Sequence, residues 1–581
     1  MRDSCPNRAG FSVVEIILAT ALAGLFVASC AGGLLFGVRM SKEAGRKSQA
    51  VFLAEEGLEA TQNIRDAAYS NLSAGTYGLT TTGNQWNLSG ASDTTGIYTR
   101  TQTIAVVDAT KKSDTSTVSW KEPTGQTRSV SLVTYFADWN AVTTTLGGLM
   151  SYGDGTTTPK YRKYDTTANS FGTQTATVVG SSGVTFVTRT SPQKTEAITG
   201  YVTAAGVLNV MCYDGATWTQ EWSVTVGGTG TTRRFDIAYE TSSGDVMVLY
   251  STNAATTNEM AYRTKLGTSG CGTANWAAAA NLDPVRTSGV VQWVKLAWDR
   301  RSAQNLITAI WADAASDLSA MVWSGTAWGN EPAAVSEASL EIVAAAQDVE
   351  DFDVEYESVS GDVMMVWANS AGSNGSNGVR YRVCTGGTSA CAWGAVTTPP
   401  TFADDATNLD LSANPNTDEM VFASVGNAGS DMQAGYWSGA AWTDTANVDT
   451  SCNTPVAGGK IVSTGWLING ATTRSIVIYG DNATTNVDWY TGVAGVFTLQ
   501  ADVALAPAPT TPQSFLEAQM NPLSKDTLMY SIAENANDLY SKRVVMSAVP
   551  AFTWTNSDGA VLVPTLPQKI TNPFSFAYWR L

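Results

Sequence analysis

The segment FDIAYETSSGDVMVLYS begins at Phe235, and FDVEYESVSGDVMMVWA begins at Phe352. This recurrence constrains the fold more than any other feature of the chain. A stretch that recurs builds the same local structure again, and such units bury their apolar faces by stacking on one another. VKLAWDRRSAQNLITAIWA, from Val294, lies near the midpoint of the two copies. LDLSANPNTDEMVFAS follows from Leu409, IVSTGWLINGATTRSIVIYG from Ile461 and FLEAQMNPLSKDTLMYSIAE from Phe515. The close copies are therefore two units apart, and the period is about 52–59 residues.

Each unit predicts four strands. The first has the FDIAY pattern and the second the DVMVLY pattern, joined by turns such as SSGD, NTDE and SKD. The third ends in an aromatic residue before a tight turn: Tyr213-Asp214-Gly215 with Trp218, Trp323-Ser324-Gly325 with Trp328, and Trp437-Ser438-Gly439 with Trp442. These read as type I′-like turns with a packing tryptophan. They do not match the sialidase Asp-box, S-x-D-x-G-x-x-W, because here the acid adjoins the glycine. Four-stranded sheets at this spacing predict an all-β propeller over residues 146–581. Seven units can be counted directly. Two fragments remain, GLMSYGDGTTTPKYRKYDTTANSFG ahead of the first unit and FSFAYWRL at the C-terminus. If they pair, the chain ends join, an eighth blade closes the ring and bare strand edges are covered. If they sit outside the ring, seven blades remain.

The start of the chain is of another kind. MRDSCPNRAG is polar and ends in glycine, and FSVVEIILATALAGLFVASCAGGLLFGV follows over residues 11–38 with Glu15 as its only charge. As a helix this run extends about 42 Å at ~1.5 Å per residue, enough to cross a bilayer core of about 30 Å. A secretory signal peptide is shorter in its apolar part and is cut after it. Here the polar-to-apolar junction comes first. A plain signal anchor leaves Glu15 unexplained, since an ionised group in lipid costs roughly 2.5–3.5 kcal/mol.

Gly10, Phe11, Ser12, Val13, Val14 and Glu15 resemble the type IV prepilin motif, usually written G-F-T-L-x-E. Ser12 stands for the common threonine, and Val13-Val14 for a Leu-Ile-like pair. The resemblance to the type IV prepilin and pseudopilin family implies cleavage by a prepilin peptidase between Gly10 and Phe11, and methylation of the new Phe11 amine. It implies that Glu15 meets the terminal amine of a neighbouring subunit, where two opposite charges desolvated together cost less than one alone. Other pilin subunits become partners through the helix. The chain would cross the cytoplasmic membrane once before assembly and then stand in an extracellular pilus or at the cell surface. In that family the second half of the helix packs on a globular head, and AVFLAEEGLEATQNIRD, residues 50–66, is similar to that region.

These readings divide the chain into a leader at 1–10, a transmembrane and assembly helix at 11–72, a small pilin-like β head at 73–145 and the propeller at 146–581. The fold class is an α+β N-terminal module followed by an all-β domain. Val51, Ala54, Leu58 and Thr61 fall on one helical stripe. IYTRTQTIAVVD, STVSWKEPTG and TRSVSLVTYFADW alternate apolar and polar residues around the turn KEPTGQT, predicting three or four strands with Trp120 and Tyr135 in the core.

The chain of 581 residues has no histidine. That removes the commonest general base and metal ligand, and excludes a Ser-His-Asp triad and any His-containing zinc site. A formal net charge of -17 repels phosphate backbones, so nucleic acid is not an expected partner of the propeller. No phosphate loop, dinucleotide glycine motif or calcium loop is present in the sequence. No cofactor, metal or catalytic residue is expected. Asp236, Asp353 and Asp410 recur at one blade position. They read either as a carboxylate ring at the central channel or, preferably, as the polar side of an alternating strand. Cys384 and Cys391 bracket CTGGTSAC and predict a hairpin disulfide in an exported protein; a metal clip would need more ligands. In the sister unit Lys265 takes the place of Cys384, which leaves Cys271 without the partner of its counterpart. The pairing of Cys212, Cys271 and Cys452 stays open.

The expected function is a minor or tip pilin-like subunit whose propeller adheres to an extracellular glycan or protein. The 19 Trp and 20 Tyr residues could supply contacts. The alternatives are a membrane-tethered sialidase-like glycoside hydrolase, and a pseudopilin of a type II secretion or DNA-uptake system.

Overall fold

One 55-residue helix, Val13–Ala67 (α1), carries the N-terminal part of the chain. The computed structural model describes residues 12–67, 69–83, 85–108, 111–137, 147–228, 232–338, 340, 350–369, 378–399, 406–426, 431–450, 452, 459–480, 486–505, 511–534, 536–548, 551–556, 561–568 and 571–579. They fall into two compact units, Met1–Thr143 and Thr144–Leu581.

In the first unit the two halves of α1 differ. Along the first half the large apolar side chains are exposed, among them Val13, Phe26 and Leu34. Along the second half Ala50, Ala54, Gly57, Ala60, Thr61 and Ile64 are buried. Val51 and Leu58, read as part of the stripe, are only half-buried. The buried stripe consists of small residues because helix and sheet approach closely. A Cβ on Gly57 would stand 2.0 Å from Gln102 Nε2 and 2.5 Å from Ser116 Oγ, so this glycine is retained despite its cost of about 1 kcal/mol within a helix.

The sheet has six strands rather than three or four. Its path runs Gln85–Ser89, Gly75–Thr82, Tyr98–Asp108, Lys111–Lys121, Thr127–Ala137, and Asp93–Thr95 pairs with Tyr98–Asp108. Trp120 is buried, but Tyr135 is 58% exposed. Val130, Leu132 and Phe136 belong to the clusters that pack under the helix, so strand alternation sends Tyr135 to the opposite face. Asp114 is buried beneath Thr61, and burial pushes its carboxyl up to about 6, against a hydrogen bond from Thr61.

The second unit holds eight small antiparallel sheets among the described residues. Each is built on a path of four strands in order from its innermost, and the first and seventh sheets add a short fifth strand. The inner strands of blades 2 to 8 are Thr185–Thr190, Phe235–Tyr239, Val291–Trp298, Phe352–Tyr356, Ala406–Ala413, Val462–Asn469 and Gln513–Met520. Blade 1 takes its inner strand from the C-terminus: Phe574–Tyr578 pairs with Gly147–Tyr152, in register from Phe574↔Tyr152 to Tyr578↔Gly148. Each inner strand neighbours the next, and blade 8 neighbours blade 1, so the ring closes. The domain is a β-propeller clasped by its own C-terminal strand.

Blades alternate in how they meet. An aromatic residue on the third strand of an odd blade enters an aromatic pair on the following even blade. Tyr161 meets Tyr213 and Trp218, Tyr262 meets Trp323 and Trp328, Tyr381 meets Trp437 and Trp442, and Trp489 meets Phe552 and Trp554. The first three pairs flank the Y/W-[DS]-G-x-x-W turns. Tyr213 pairs with Trp218, Trp323 with Trp328 and Trp437 with Trp442, so each loop holds four residues, not the two of a type I′ turn. Within each loop only the glycine has a positive φ: 96° at Gly215, 92° at Gly325 and 87° at Gly439. The first loop residue closes the turn with its side chain. Asp214 accepts from the Ala216 and Thr217 N–H groups, Ser324 from Ala327 and Ser438 from Ala441. Two of these tryptophans also donate to buried glutamates, Trp323 to Glu240 at 2.7 Å and Trp437 to Glu357 at 2.6 Å.

Candidate functional site

The eight inner strands surround a channel of about 220 Å³ whose lining carries both signs of charge. One column of residues on these strands is structural. Asp236, Asp353 and Asp410 are buried, and each reaches the backbone of a following blade. Asp236 accepts from Leu296 N–H at 2.9 Å, Asp353 from Leu411 N–H at 3.0 Å and Asp410 from Thr464 N–H at 2.6 Å. Other blades bond in the same way from the same position. Ser463 accepts from Ala518 N–H, Glu517 from Phe576 N–H and Ser575 from Thr188 N–H. Asp353 and Asp410 line the channel, and with the fully buried Asp236 they act as inter-blade staples. Carboxylates occupied by backbone donors are poorly placed to act as general acids.

The deeper cations are neutralised. Lys295 lies 2.6 Å from Asp353 and 3.4 Å from Glu350, Arg233 lies 2.9 Å from Glu350, and Lys460 pairs with Asp410. Burial alone would raise the Glu350 carboxyl, but Arg233, Lys295 and Lys460 outweigh it and hold it down at about 2. Around Arg189 and Arg300 the pairing is looser. Arg189 stands 3.5 Å from Asp236, and Arg300 3.3 Å from Glu355. Both guanidinium groups lie over the Trp298 indole, at 5.8 and 5.9 Å from its centroid. Burial raises the Glu355 carboxyl, and Arg300 opposes the shift.

No motif marks Arg189, Trp298 or Arg300, and sequence reading does not find them. Aligning the blades on the staple position exposes one signal. Two residues after it, Arg189 is the one cation in a column that otherwise holds Ala238, Ala297, Glu355, Ser412, Gly465, Gln519 and Ala577.

The cysteines pair in two ways. Cys384 is joined to Cys391 within one hairpin. Cys271, whose pairing the sequence leaves open, is joined to Cys212 on the preceding blade, across a separation of 59 residues. With Lys265 in the position of Cys384, the partner had to come from another sheet, which an alignment of single units does not show. Cys452 is buried. Glu196, Cys212 and Cys271 form the one cluster with metal-ligand spacing among the described residues. Its cysteines are oxidised, and Lys265 Nζ lies 2.8 Å from both Glu196 oxygens, so an ammonium already occupies the carboxylate.

At the N-terminus, Gly10 and Phe11 lie outside the described residues. Glu15 is described, and α1 is long and apolar enough to cross a membrane. Glu15 Oε2 accepts from Ser12 N–H at 3.0 Å, and Ser12 Oγ accepts from Val14 N–H at 3.3 Å. Ser12 thus caps the helix through the second N–H, and Glu15 reaches back to the Ser12 N–H as in a capping box. No ion pair to Glu15 occurs among the described residues.

No family model and no curated protein matches the chain. Solved structures with similar folds include the BP39L lectin of Burkholderia pseudomallei, with a TM-score of 0.46 at 12% identity over 65% of this chain and 98% of that one. The fucose-recognising six-bladed propeller lectin of Aleuria aurantia gives 0.28 at 11% over 78% and 93%. A chain of the Mitotic Checkpoint Complex gives 0.34 at 11% over 61% and 93%. Likeness at this level carries no argument about ligands.

Proposed function

We propose that this protein is a type IV pilin-like subunit, of the minor or tip kind, held in a membrane or filament by the first half of α1 and displaying the propeller as a ligand-binding head. The observation that supports this is the division of one continuous helix. Its second half is satisfied by the sheet, while the first half exposes an apolar surface that water disfavours by roughly 25 cal/mol per Å². The cover is lipid before assembly and the apolar halves of sister subunits after it. Glu15 fits the same reading. Its capping bond uses one oxygen and leaves the charge without a counter-ion, which the freed and methylated Phe11 amine of a neighbouring subunit supplies. The partners are then a prepilin peptidase and other pilins, and the place is the cell envelope. The hydrolase reading loses its candidate acids to the inter-blade staples.

The test is mass spectrometry of the mature protein from its native cell, combined with Glu15→Leu. The expected N-terminus is N-methylated Phe11, and the variant should be cleaved but left out of sheared surface filaments. A mature chain starting at any other residue refutes the proposal.

A further inference from the structure

We propose that the Arg189, Trp298 and Arg300 side of the channel binds a small carboxylate-bearing ligand, an acidic sugar unit being the class that uses all of the lining. This rests on the reading of the propeller as a ligand-binding head and gives that head a site. The deeper cations already hold carboxylates at 2.6–2.9 Å, the length of a full charge-assisted bond. Arg189 and Arg300 have theirs at 3.5 and 3.3 Å, beyond that range. Arg189 comes from blade 2 and Arg300 from the turn after the inner strand of blade 4, and Trp298 holds both guanidinium groups over one indole. Trp298 is thus a positioning residue for a two-pronged clamp.

The Nε–H groups of Arg189 and Arg300 are both buried without a hydrogen-bond acceptor, and a carboxylate matches the guanidinium fork in two parallel hydrogen bonds. Ser412 and Gln519 also line the channel and offer a hydroxyl and an amide to sugar hydroxyl groups. The channel of about 220 Å³ is smaller than the ~300–1,000 Å³ of pockets for drug-sized ligands, so the entrant is one sugar unit and not an oligomer. The chain's net charge of -17 disfavours a long polyanion.

The experiment titrates the full-length protein in detergent with glucuronic acid, N-acetylneuraminic acid, their methyl esters and glucose, read by calorimetry and saturation-transfer NMR. We expect a free acid to bind and its ester to bind weaker by roughly 10- to 100-fold, the loss of one charge-assisted pair. Arg300→Gln should weaken acid binding by a similar factor with an unchanged melting temperature, and Arg300→Lys should recover part of it. If Arg300→Gln unfolds, Arg189→Gln serves in its place. Failure of both acids to bind, equal binding of acid and ester, or acid binding indifferent to both substitutions overturns the inference. Neutral-sugar binding that survives both substitutions overturns this site while leaving the ligand-binding head intact.

Discussion

Replacing Phe576 by alanine should open the propeller at one seam. The ring closes through Phe574–Tyr578, and Phe576 is 1% exposed in the middle of that strand. Its ring lies 5.9 Å from Tyr164, 5.9 Å from Phe171 and 4.8 Å from Tyr578, and it fills the space over Gly148, where an added Cβ would lie 2.5 Å away. Removing a buried phenylalanine ring costs about 3–5 kcal/mol. Global melting is a poor gauge of that loss. At ~2.1 cal/mol/K of unfolding entropy per residue, the unit Thr144–Leu581 shifts its midpoint by only about 3–5 °C. Hydrogen exchange of the partner strand Gly147–Tyr152 is a direct gauge, because the clasp can detach without unfolding the other blades. Its amides should exchange roughly 100- to 3,000-fold faster in Phe576→Ala, while Val363–Ala368 in blade 5 stays nearly unchanged. Equal acceleration in both strands would mean that the ring fails as a whole and that the C-terminal strand is not a separable clasp.

The two disulfides should differ in worth. By loop-closure entropy the 59-residue separation of Cys212–Cys271 contributes about 4 kcal/mol and the 7-residue separation of Cys384–Cys391 about 2 kcal/mol. Cys271→Ser should therefore lower the denaturation midpoint more than Cys391→Ser; the reverse order would refute the inter-blade pairing. Asp114 makes the first unit sensitive to pH. Its carboxyl is raised from 3.8 to about 6 in the folded state, so its stabilising contribution is complete below pH ~4 and is lost as pH rises through about 6, to a total of ~3 kcal/mol. Protease resistance of the α1–sheet contact should fall across that interval and become flat in Asp114→Asn; a fall that persists in the variant assigns it to another group.

The propeller is legible in the sequence because its information is local and repeated. The FDIAY and DVMVLY segments form the first and second strands of blades 3 and 5, and each carries its own alternation and turn. The clasp can be read for the same reason: FSFAYWRL has the pattern of a first strand and lacks a partner in its own neighbourhood. Alternation alone does not say which face of the strand Thr127–Ala137 meets the helix, so it allows Tyr135 an inside place when its parity puts it outside. On α1 the bulky residues suggest a stripe around Val51 and Leu58. The actual contact follows Ala50, Ala54, Gly57 and Ala60, because what is optimised is closeness to the sheet and not the size of the buried side chain.

What stays hidden depends on pairs of blades. Trp323 and Trp437 donate to Glu240 and Glu357, and these counterparts stand two blades apart, as do Cys271 and Cys391. Within such a register a residue meets the same neighbours, which is why the copies at Phe235 and Phe352 match better than either matches the unit between them. Even so, equal position does not secure equal chemistry. Val246 pairs with Lys265 where Val363 pairs with Cys384. One lysine at that point sends Cys271 to the preceding blade for a partner and demands a buried acid, which Glu196 on that same blade provides. Arg189 is likewise the one cation at its position among the blades and finds Trp298 two blades on. In a repeat protein the shared residues build the frame, and the residues that break the repeat are where a particular function can be attached.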